Sequence, residues 1–322
     1  MRKQEKHSFR ILIFALFILL VGPASTSGSA QSKSAVGQET PAASSAYVGA
    51  DACKTCHEQQ VNSIQNTRHW TSLSKTPQGI AVHSCETCHG PGAAHVEGGG
   101  DKTKIFSFKG ASPQAINERC LQCHSTTREL TNFSQSAHVN AGESCITCHS
   151  PHSATERRAL LKQKQTDLCY SCHTVTQAQF SQPFRHRVNE GLIKCSDCHN
   201  PHGTPQPHML RTTASQEAIC FQCHREMQGP FMFEHVPVKT EGCQSCHQPH
   251  GSVNPRLLTV PQVSILCLQC HTPGATVNTR QGGTNAPGMP GSVTHNLNTK
   301  FQSCTQCHVF IHGSNADETF MK

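Results

Sequence analysis

Ten copies of the pattern C-x-x-C-H account for all twenty cysteines of this 322-residue chain. Two thiols and a histidine at this spacing are the attachment signature of c-type haem, in which the thiols bond to the vinyl groups and the histidine binds the iron. Zinc sites, redox dithiols and disulfide frameworks also use clustered cysteines, but none of them explains why a histidine follows every second cysteine. The sequence therefore predicts a cytochrome with ten c-type haems.

The cysteines of the motifs are the predicted sites of covalent attachment, and the histidine that ends each motif is the predicted proximal iron ligand. We number the motifs, and the haems that they would hold, from 1 to 10 in chain order. They are Cys53, Cys56 and His57; Cys85, Cys88 and His89; Cys120, Cys123 and His124; Cys145, Cys148 and His149; Cys169, Cys172 and His173; Cys195, Cys198 and His199; Cys220, Cys223 and His224; Cys243, Cys246 and His247; Cys267, Cys270 and His271; and Cys304, Cys307 and His308.

Apart from the motifs, the chain has few side chains with which to build a core. Hydrophobic residues make up 35% and aromatic residues 5% of it, whereas ordinary soluble domains are roughly 45–50% apolar. Ten haem macrocycles would supply the missing apolar surface, so haem binding and folding are expected to be coupled. The predicted fold is a multihaem cytochrome c in which short helices and loops, with little or no sheet, surround a chain of ten haems.

The N-terminus has the features of a signal peptide. Positive charges between Arg2 and Arg10 precede an apolar stretch at residues 11–22, and Gly28 and Ala30 stand before an expected cleavage site. A retained spanning helix would need about 20 apolar residues, so cleavage and export are expected instead. Because every cysteine belongs to a haem motif, no lipid anchor on a cysteine is expected.

The formal net charge of +7 is no argument for nucleic acid as a partner. Loss of the signal peptide removes four positive charges and one negative charge, and ten haems add about twenty propionates that are ionised at neutral pH. The holoprotein would then carry a net charge of roughly −6 when oxidised and roughly −16 when reduced. Its lysines and arginines are therefore expected to pair with propionates.

A repeat organises the chain: a free histidine, a motif, a second free histidine close behind it, and another motif. Copies of this repeat begin at His69, His138, His186 and His235; motif 1 stands before them, and a half copy that begins at His295 follows them. Helices are expected to start at Ser112–Pro113 and at Ser215, ahead of motifs 3 and 7. The expected parts are a signal peptide (1–30), a flexible leader (31–50), haems 1–5 (51–180), haems 6–10 (181–315) and a C-terminal tail (316–322).

Ten further histidines fall at matching places in the repeat and are the predicted second, distal ligands of the ten irons. They are His69, His95, His138, His152, His186, His202, His235, His250, His295 and His312. His7 belongs to the signal peptide, while His83 and His208 fit neither place and are expected to be surface or propionate-bonding residues. The methionines show no repeat placement, so ten candidates for ten irons favour bis-histidine ligation throughout.

Three of the distal candidates, His152, His202 and His250, follow a motif histidine by only three residues. Two histidines on opposite sides of one iron need α-carbons roughly 13 Å apart, whereas three residues span at most about 10–11 Å. His202 is therefore expected to bind the iron of a different haem from His199. Ligation of this kind would hold neighbouring haems close together, although the spacing leaves open which distal histidine serves which haem.

Three stretches closely resemble the MtrA/PioA/DmsE family of periplasmic decahaem c-type cytochromes. They are C-S-D-C-H-N-P-H-G at residues 195–203, G-P-F-M-F-E-H-V-P-V-K-T-E-G-C-Q-S-C-H-Q-P-H-G-S-V-N at 229–254, and C-x-x-C-H-x-x-x-H-G-S-N at 304–315. The resemblance runs from about residue 51 to residue 315, and the loop at 271–304, which contains His295, departs from the family. It implies an elongated haem wire inside an outer-membrane β-barrel porin, passing electrons between periplasmic carriers and partners outside, including cell-surface cytochromes.

Three other functions compete with a porin-bound wire. A multihaem reductase for nitrite or a similar oxyanion needs one iron with an open position, often marked by a lysine in a motif, and no motif here has one. A cytochrome filament would take a distal histidine from the next subunit, which the balanced count of histidines does not require. A freely diffusing periplasmic shuttle stays open, because the porin rests on resemblance alone. The prediction is an electron-transfer protein and not an enzyme.

Overall fold

The structure, a computed structural model, describes residues 46–73, 84–212, 215–271 and 303–321. The expected signal peptide, most of the expected leader, His83 and His295 lie outside these residues. Residues Ala42–Lys322 form one structural unit, and the division into haems 1–5 and haems 6–10 stays a prediction. No helix among the described residues has the length and hydropathy that crossing a bilayer requires.

Short helices and loops make up the described residues, which contain isolated β-bridges but no strand. The predicted fold class is thus confirmed. The α-helices are α1 (Ala50–Gln65), α2 (Arg68–Leu73), α3 (Glu86–His89), α4 (Ala93–Glu97), α5 (Pro113–His124), α6 (Ala137–Asn140), α7 (Cys145–Cys148), α8 (Gln165–Tyr170), α9 (Thr174–Gln179), α10 (Cys195–Cys198), α11 (Val236–Thr240) and α12 (Val263–Leu268). The 3₁₀ helices are Lys102–Lys104, Arg128–Leu130, Phe133–Gln135, Pro207–Met209, Gln216–Gln222, Arg225–Met227, Cys243–Ser245, Pro255–Leu257 and Cys304–Gln306.

One of the two expected helix starts begins an α-helix. The Ser112 hydroxyl accepts a hydrogen bond from the backbone N–H of Ala115 at 3.2 Å, and Pro113 occupies the first turn of α5, as the sequence predicts. Ser215 instead precedes a 3₁₀ helix. Its hydroxyl donates to the Glu217 carboxylate at 3.2 Å and does not cap a backbone N–H, which leaves the tighter turn in place.

Apolar side chains form only small clusters in the described residues. On α1, Val61 and Ile64 are buried, and Tyr170 packs with Phe180 and Val188 farther along the chain. The other buried apolar side chains are Ala50, Ile116, Leu161 and Leu210. Apolar side chains alone therefore bury much less surface than they do in an ordinary domain, and another group must supply most of the apolar core.

A short loop folds back onto each of motifs 4, 6, 8 and 10, and we call it the return loop. In the first of these, the N–H of Ser150 donates to the carbonyl of Leu160 at 2.7 Å, and Asn200 and Met209 repeat this bond at 2.8 Å. The return loops are residues 159–162, 208–211, 256–259 and 319–321. Each contains one or two left-handed residues that are not glycine, with φ from 53° to 60°: Leu160; His208 and Met209; Arg256 and Leu257; and Phe320. Such residues cost roughly 1–2 kcal/mol each, so the surrounding contacts must hold the turn.

A buried carboxylate fastens the start of α1 to motif 2. Glu86 is only 3% exposed and accepts hydrogen bonds from the backbone N–H groups of Val48 and Gly49, both at 3.0 Å, and of Gly92 at 2.7 Å. A buried carboxylate is tolerated when donors surround it in this way. Glu86 therefore connects the segment before motif 1 with the segment that carries motif 2.

Replacing Glu86 by alanine should lower the thermal stability of the protein. The change leaves three backbone N–H groups without an acceptor, at a cost of about 1–3 kcal/mol for a buried donor, so Tm should fall by several degrees. Circular dichroism during heating would measure Tm. Glu97→Ala is the control, because Glu97 is exposed at the end of α4; equal Tm values for the two variants would contradict this role for Glu86.

Candidate haem sites

Each C-x-x-C-H motif folds as a single tight turn that is closed by its own backbone. The N–H of His199 donates to the carbonyl of Cys195 at 2.9 Å, and the same bond closes motifs 2, 4, 5, 7, 8, 9 and 10. Motif 3 ends helix α5, while motif 1 lies in α1, which bends at His57 (φ −118°, ψ 41°). The turn thus places two thiols and one imidazole close together, as attachment of one haem requires.

Successive motifs meet in chain order, by two alternating kinds of contact. The first cysteines of motifs 1 and 2, Cys53 and Cys85, lie side by side, so that the neighbouring thiol raises the pKa of Cys53 and lowers that of Cys85. The other such pairs are Cys120 with Cys145, Cys169 with Cys195, Cys220 with Cys243, and Cys267 with Cys304. Between these pairs, the thiols are near enough for the charge of one to raise the pKa of the other in Cys88 and Cys120, Cys148 and Cys172, Cys198 and Cys223, and Cys246 and Cys267. The ten motifs therefore form an unbroken series.

Eight motif histidines face one of the histidines that the sequence predicts as distal ligands. The ring centroids in these pairs are 5.9–6.4 Å apart. The pairs are His57 with His95, His124 with His69, His149 with His202, His173 with His138, His199 with His250, His224 with His186, His247 with His312, and His271 with His235. Each pair joins one motif histidine to one histidine outside the motifs.

The two remaining motif histidines are His89 and His308. Burial lowers the pKa of His89, and the neighbouring His152 and His57 lower it further, so His152 lies beside motif 2. His295, the tenth distal candidate, lies outside the described residues.

The spacing of the paired rings suits an iron between them. With metal–nitrogen bonds of about 2.0–2.1 Å, two imidazoles on opposite sides of one metal have centroids roughly 6 Å apart. The eight distances agree with this value, and the two cysteines beside each motif histidine are the remaining requirement for a c-type haem. The residues present therefore fit a c-type haem.

Backbone carbonyls fix the orientation of the motif histidines that the return loops approach. His149 Nδ1 donates to the carbonyl of Ala159 at 2.7 Å, and His199 Nδ1 donates to that of His208 at 2.8 Å. The corresponding bonds are His247 to Arg256 at 2.8 Å and His308 to Thr319 at 2.5 Å. In motif 2, which has no return loop, His89 Nδ1 donates to the carbonyl of Phe106 at 3.0 Å. A proton held on Nδ1 leaves Nε2 free to bind a metal.

Two residues of the return loops, His208 and Thr319, have a role that the sequence analysis did not predict. His208 serves motif 6 through its backbone carbonyl, and its side chain is exposed. The last residues of the chain were expected to be a tail, but Thr319 contributes the carbonyl that holds His308. Every residue has a backbone carbonyl, so acceptors of this kind have no residue-type signature in the sequence.

Successive copies of the repeat hold each other through their distal histidines. His138 Nδ1 donates to the carbonyl of Pro201 at 2.8 Å, next to His202 in the following copy. His186 and Pro249 repeat this bond at 2.6 Å, and His235 bonds to the backbone of Ile311. His202 meanwhile faces His149 in the preceding copy and does not face His199.

Burial favours the neutral form of five of the predicted distal imidazoles. Burial, with a smaller effect of the nearby His149, lowers the pKa of His202 to about 4. Burial also lowers the pKa values of His69, His235, His250 and His312. The neutral imidazole is the form that binds a metal.

Comparison with known proteins agrees with this site. The family model of the doubled CXXCH motif matches residues 137–178, 186–229 and 235–276. The chain is 37% identical, over 273 residues, to the multihaem cytochrome MtrA of Shewanella baltica. The matched residues cover 83% of this chain and 79% of that protein. It is also 31% identical over 163 residues to the C-type polyheme cytochrome OmcB of Geobacter sulfurreducens, covering 48% of this chain and 20% of that protein.

The helix-and-loop fold, the repeated haem motifs and the facing histidines define a multihaem c-type cytochrome. Such proteins carry electrons between redox partners through their haems. Within this class, the chain belongs to the family of the multihaem cytochrome MtrA.

Proposed function

We propose that the chain holds ten c-type haems, each with two axial histidines, and conducts electrons along them. The observation that carries this proposal is the spacing of 5.9–6.4 Å within eight pairs of imidazole rings. The proposed distal ligands of haems 1 to 9 are, in order, His95, His152, His69, His202, His138, His250, His186, His312 and His235. His295 is then left for haem 10.

The proposed pairing follows one rule through the repeat. A distal histidine that precedes an even-numbered motif serves the following odd-numbered haem of its own copy, as His186 does for haem 7. A distal histidine that follows an even-numbered motif serves a haem in an earlier part of the chain, as His250 does for haem 6. His295 precedes motif 10 and is assigned to haem 10 by elimination, so it departs from the rule.

Two axial histidines on every iron favour electron transfer over catalysis. A six-coordinate iron offers no position for a substrate, and it changes oxidation state without exchanging a protein ligand. The contacts between successive motifs, such as that of Cys169 with Cys195, support short distances between neighbouring haems. The chain's own contribution is to hold, orient and space the irons.

The path of the electrons is proposed from the family. Membership in the MtrA family, together with the resemblance of residues 195–203 and 229–254, supports a periplasmic protein that sits in an outer-membrane β-barrel porin. Its redox partners would be periplasmic carriers and cell-surface cytochromes. A periplasmic shuttle that delivers electrons to a terminal reductase is the competing assignment within the same class.

The porin assignment is tested by purification from outer membranes. The chain, carrying an affinity tag, is expressed in its host, the outer membranes are washed in high salt, and they are then solubilised in mild detergent. The expected result is that the cytochrome stays in the membranes through the wash and that a β-barrel protein co-purifies with it. Complete release by the salt wash would contradict the porin assignment and favour the shuttle.

Replacing His312 by alanine should open one iron, that of haem 8. The ring of His312 lies 6.2 Å from that of His247, so the variant should gain one high-spin haem in ten that binds carbon monoxide after reduction. Absorption spectroscopy would measure both changes. His208→Asn is the matched control, since His208 is not a proposed ligand and asparagine tolerates its left-handed backbone (φ 55°).

Haem 10 is the alternative target, because His312 follows His308 by only four residues. Haem 10 can be removed beforehand by Cys304→Ser and Cys307→Ser. His312→Ala should still create one carbon monoxide-binding haem in that background. If it creates none, His312 is a ligand of haem 10 and the proposed pairing is wrong.

A further inference from the structure

We propose that Gln179 is a positioning residue that lowers the reduction potential of haem 6. This inference rests on the proposed ligation of haem 6 by His199 and His250. The Gln179 side-chain oxygen Oε1 lies 2.9 Å from His250 Nδ1. Because iron would take Nε2, the proton stays on Nδ1, and the amide must present its oxygen to accept it.

Close packing holds the backbone of Gln179 beside His250. A Cβ atom on Gly251 would lie only 2.1 Å from the backbone oxygen of Gln179, so the residue after His250 presses directly on the end of α9. The next residue, Phe180, is buried and packs against the His250 ring at a centroid distance of 5.1 Å. The side-chain acceptor is thus carried by a backbone that cannot easily move away.

The preceding copy of the repeat has the same packing without the acceptor. A Cβ on Gly203 would lie 2.6 Å from the backbone oxygen of Asn132, and Phe133 packs against the His202 ring at 6.4 Å. Asn132 therefore occupies the place of Gln179, but its side chain is shorter by one methylene. His202 Nδ1 is buried and has no hydrogen-bond partner in this part of the structure.

The following copy also lacks such an acceptor. Gly313 packs against Phe231, where an added Cβ would overlap the ring, and the residue before Phe231 is Pro230. A proline side chain has neither donor nor acceptor. At the place of Gln179, Pro230 therefore offers His312, the proposed distal ligand of haem 8, no side-chain acceptor.

On the side of the motif histidine, haems 4, 6 and 8 would all have the same kind of hydrogen bond. His149, His199 and His247 each donate Nδ1 to a return-loop carbonyl, at 2.7, 2.8 and 2.8 Å. An acceptor on Nδ1 raises the basicity of the imidazole, which stabilises the ferric over the ferrous iron. The distal acceptor is therefore the difference that should set haem 6 below haems 4 and 8 in potential.

The test is a spectroelectrochemical titration of the holoprotein carrying Gln179→Leu. The expected result is that one haem's share of the absorbance change moves to higher potential while every haem stays low-spin. Gln177→Leu is the matched control, because it makes the same substitution at another exposed glutamine of the same helix. The reciprocal variant Asn132→Gln should move one haem to lower potential by supplying His202 with an acceptor.

If Gln179 acts on haem 6 through its hydrogen bond to His250, the effect of Gln179→Leu on the potential should vanish when residue 250 has no Nδ1. In a His250→Met background, where the distal ligand of haem 6 has no Nδ1, adding Gln179→Leu should leave the titration curve unchanged. Superimposable curves for Gln179→Leu and the parent protein, with all haems low-spin, would overturn the inference. A His250→Ala variant that gains no carbon monoxide-binding haem would instead refute the proposed ligation, so the two failures are distinguishable.

Discussion

The structure depends on imidazole rings held about 6 Å apart by residues that are distant in the sequence. His149 faces His202, and His199 faces His250, each across a boundary between copies of the repeat. Covalent attachment would fasten a haem to one copy, and the facing histidine would fasten the same haem to the next. In this account the haems are the cross-links of the fold, which explains why so few apolar side chains are buried in the described residues.

The sequence predicts the class, the fold and the chemistry of the sites, because C-x-x-C-H specifies both the cofactor and its proximal ligand. The reach of three residues also indicates that His202 belongs to a different haem from His199. The partner of His202 could not be predicted, since pairing depends on how whole copies pack. Likewise hidden were the Nδ1 acceptors, which are backbone carbonyls such as that of His208, and the buried Glu86, which resembles any other charged residue in the sequence.

The alternating contacts between motifs give the series of haems its order. One kind of contact joins the first cysteines of a pair of motifs, as at Cys120 and Cys145, and the other joins the pair to the next, as at Cys148 and Cys172. A repeat that is uniform in its ligands can still differ from haem to haem through neighbouring residues. Gln179 and Asn132 occupy equivalent places, yet in the structure only Gln179 reaches the imidazole that packs beside it.

The most direct test of the central claim is a carbon monoxide titration of the intact, reduced protein, combined with a haem count by mass spectrometry. Ten irons that each hold two histidines predict ten covalently bound haems and no carbon monoxide complex, because no axial position is open. A haem count below ten would contradict the claim, and so would one carbon monoxide bound per molecule. The latter result would return catalysis at an open iron to consideration.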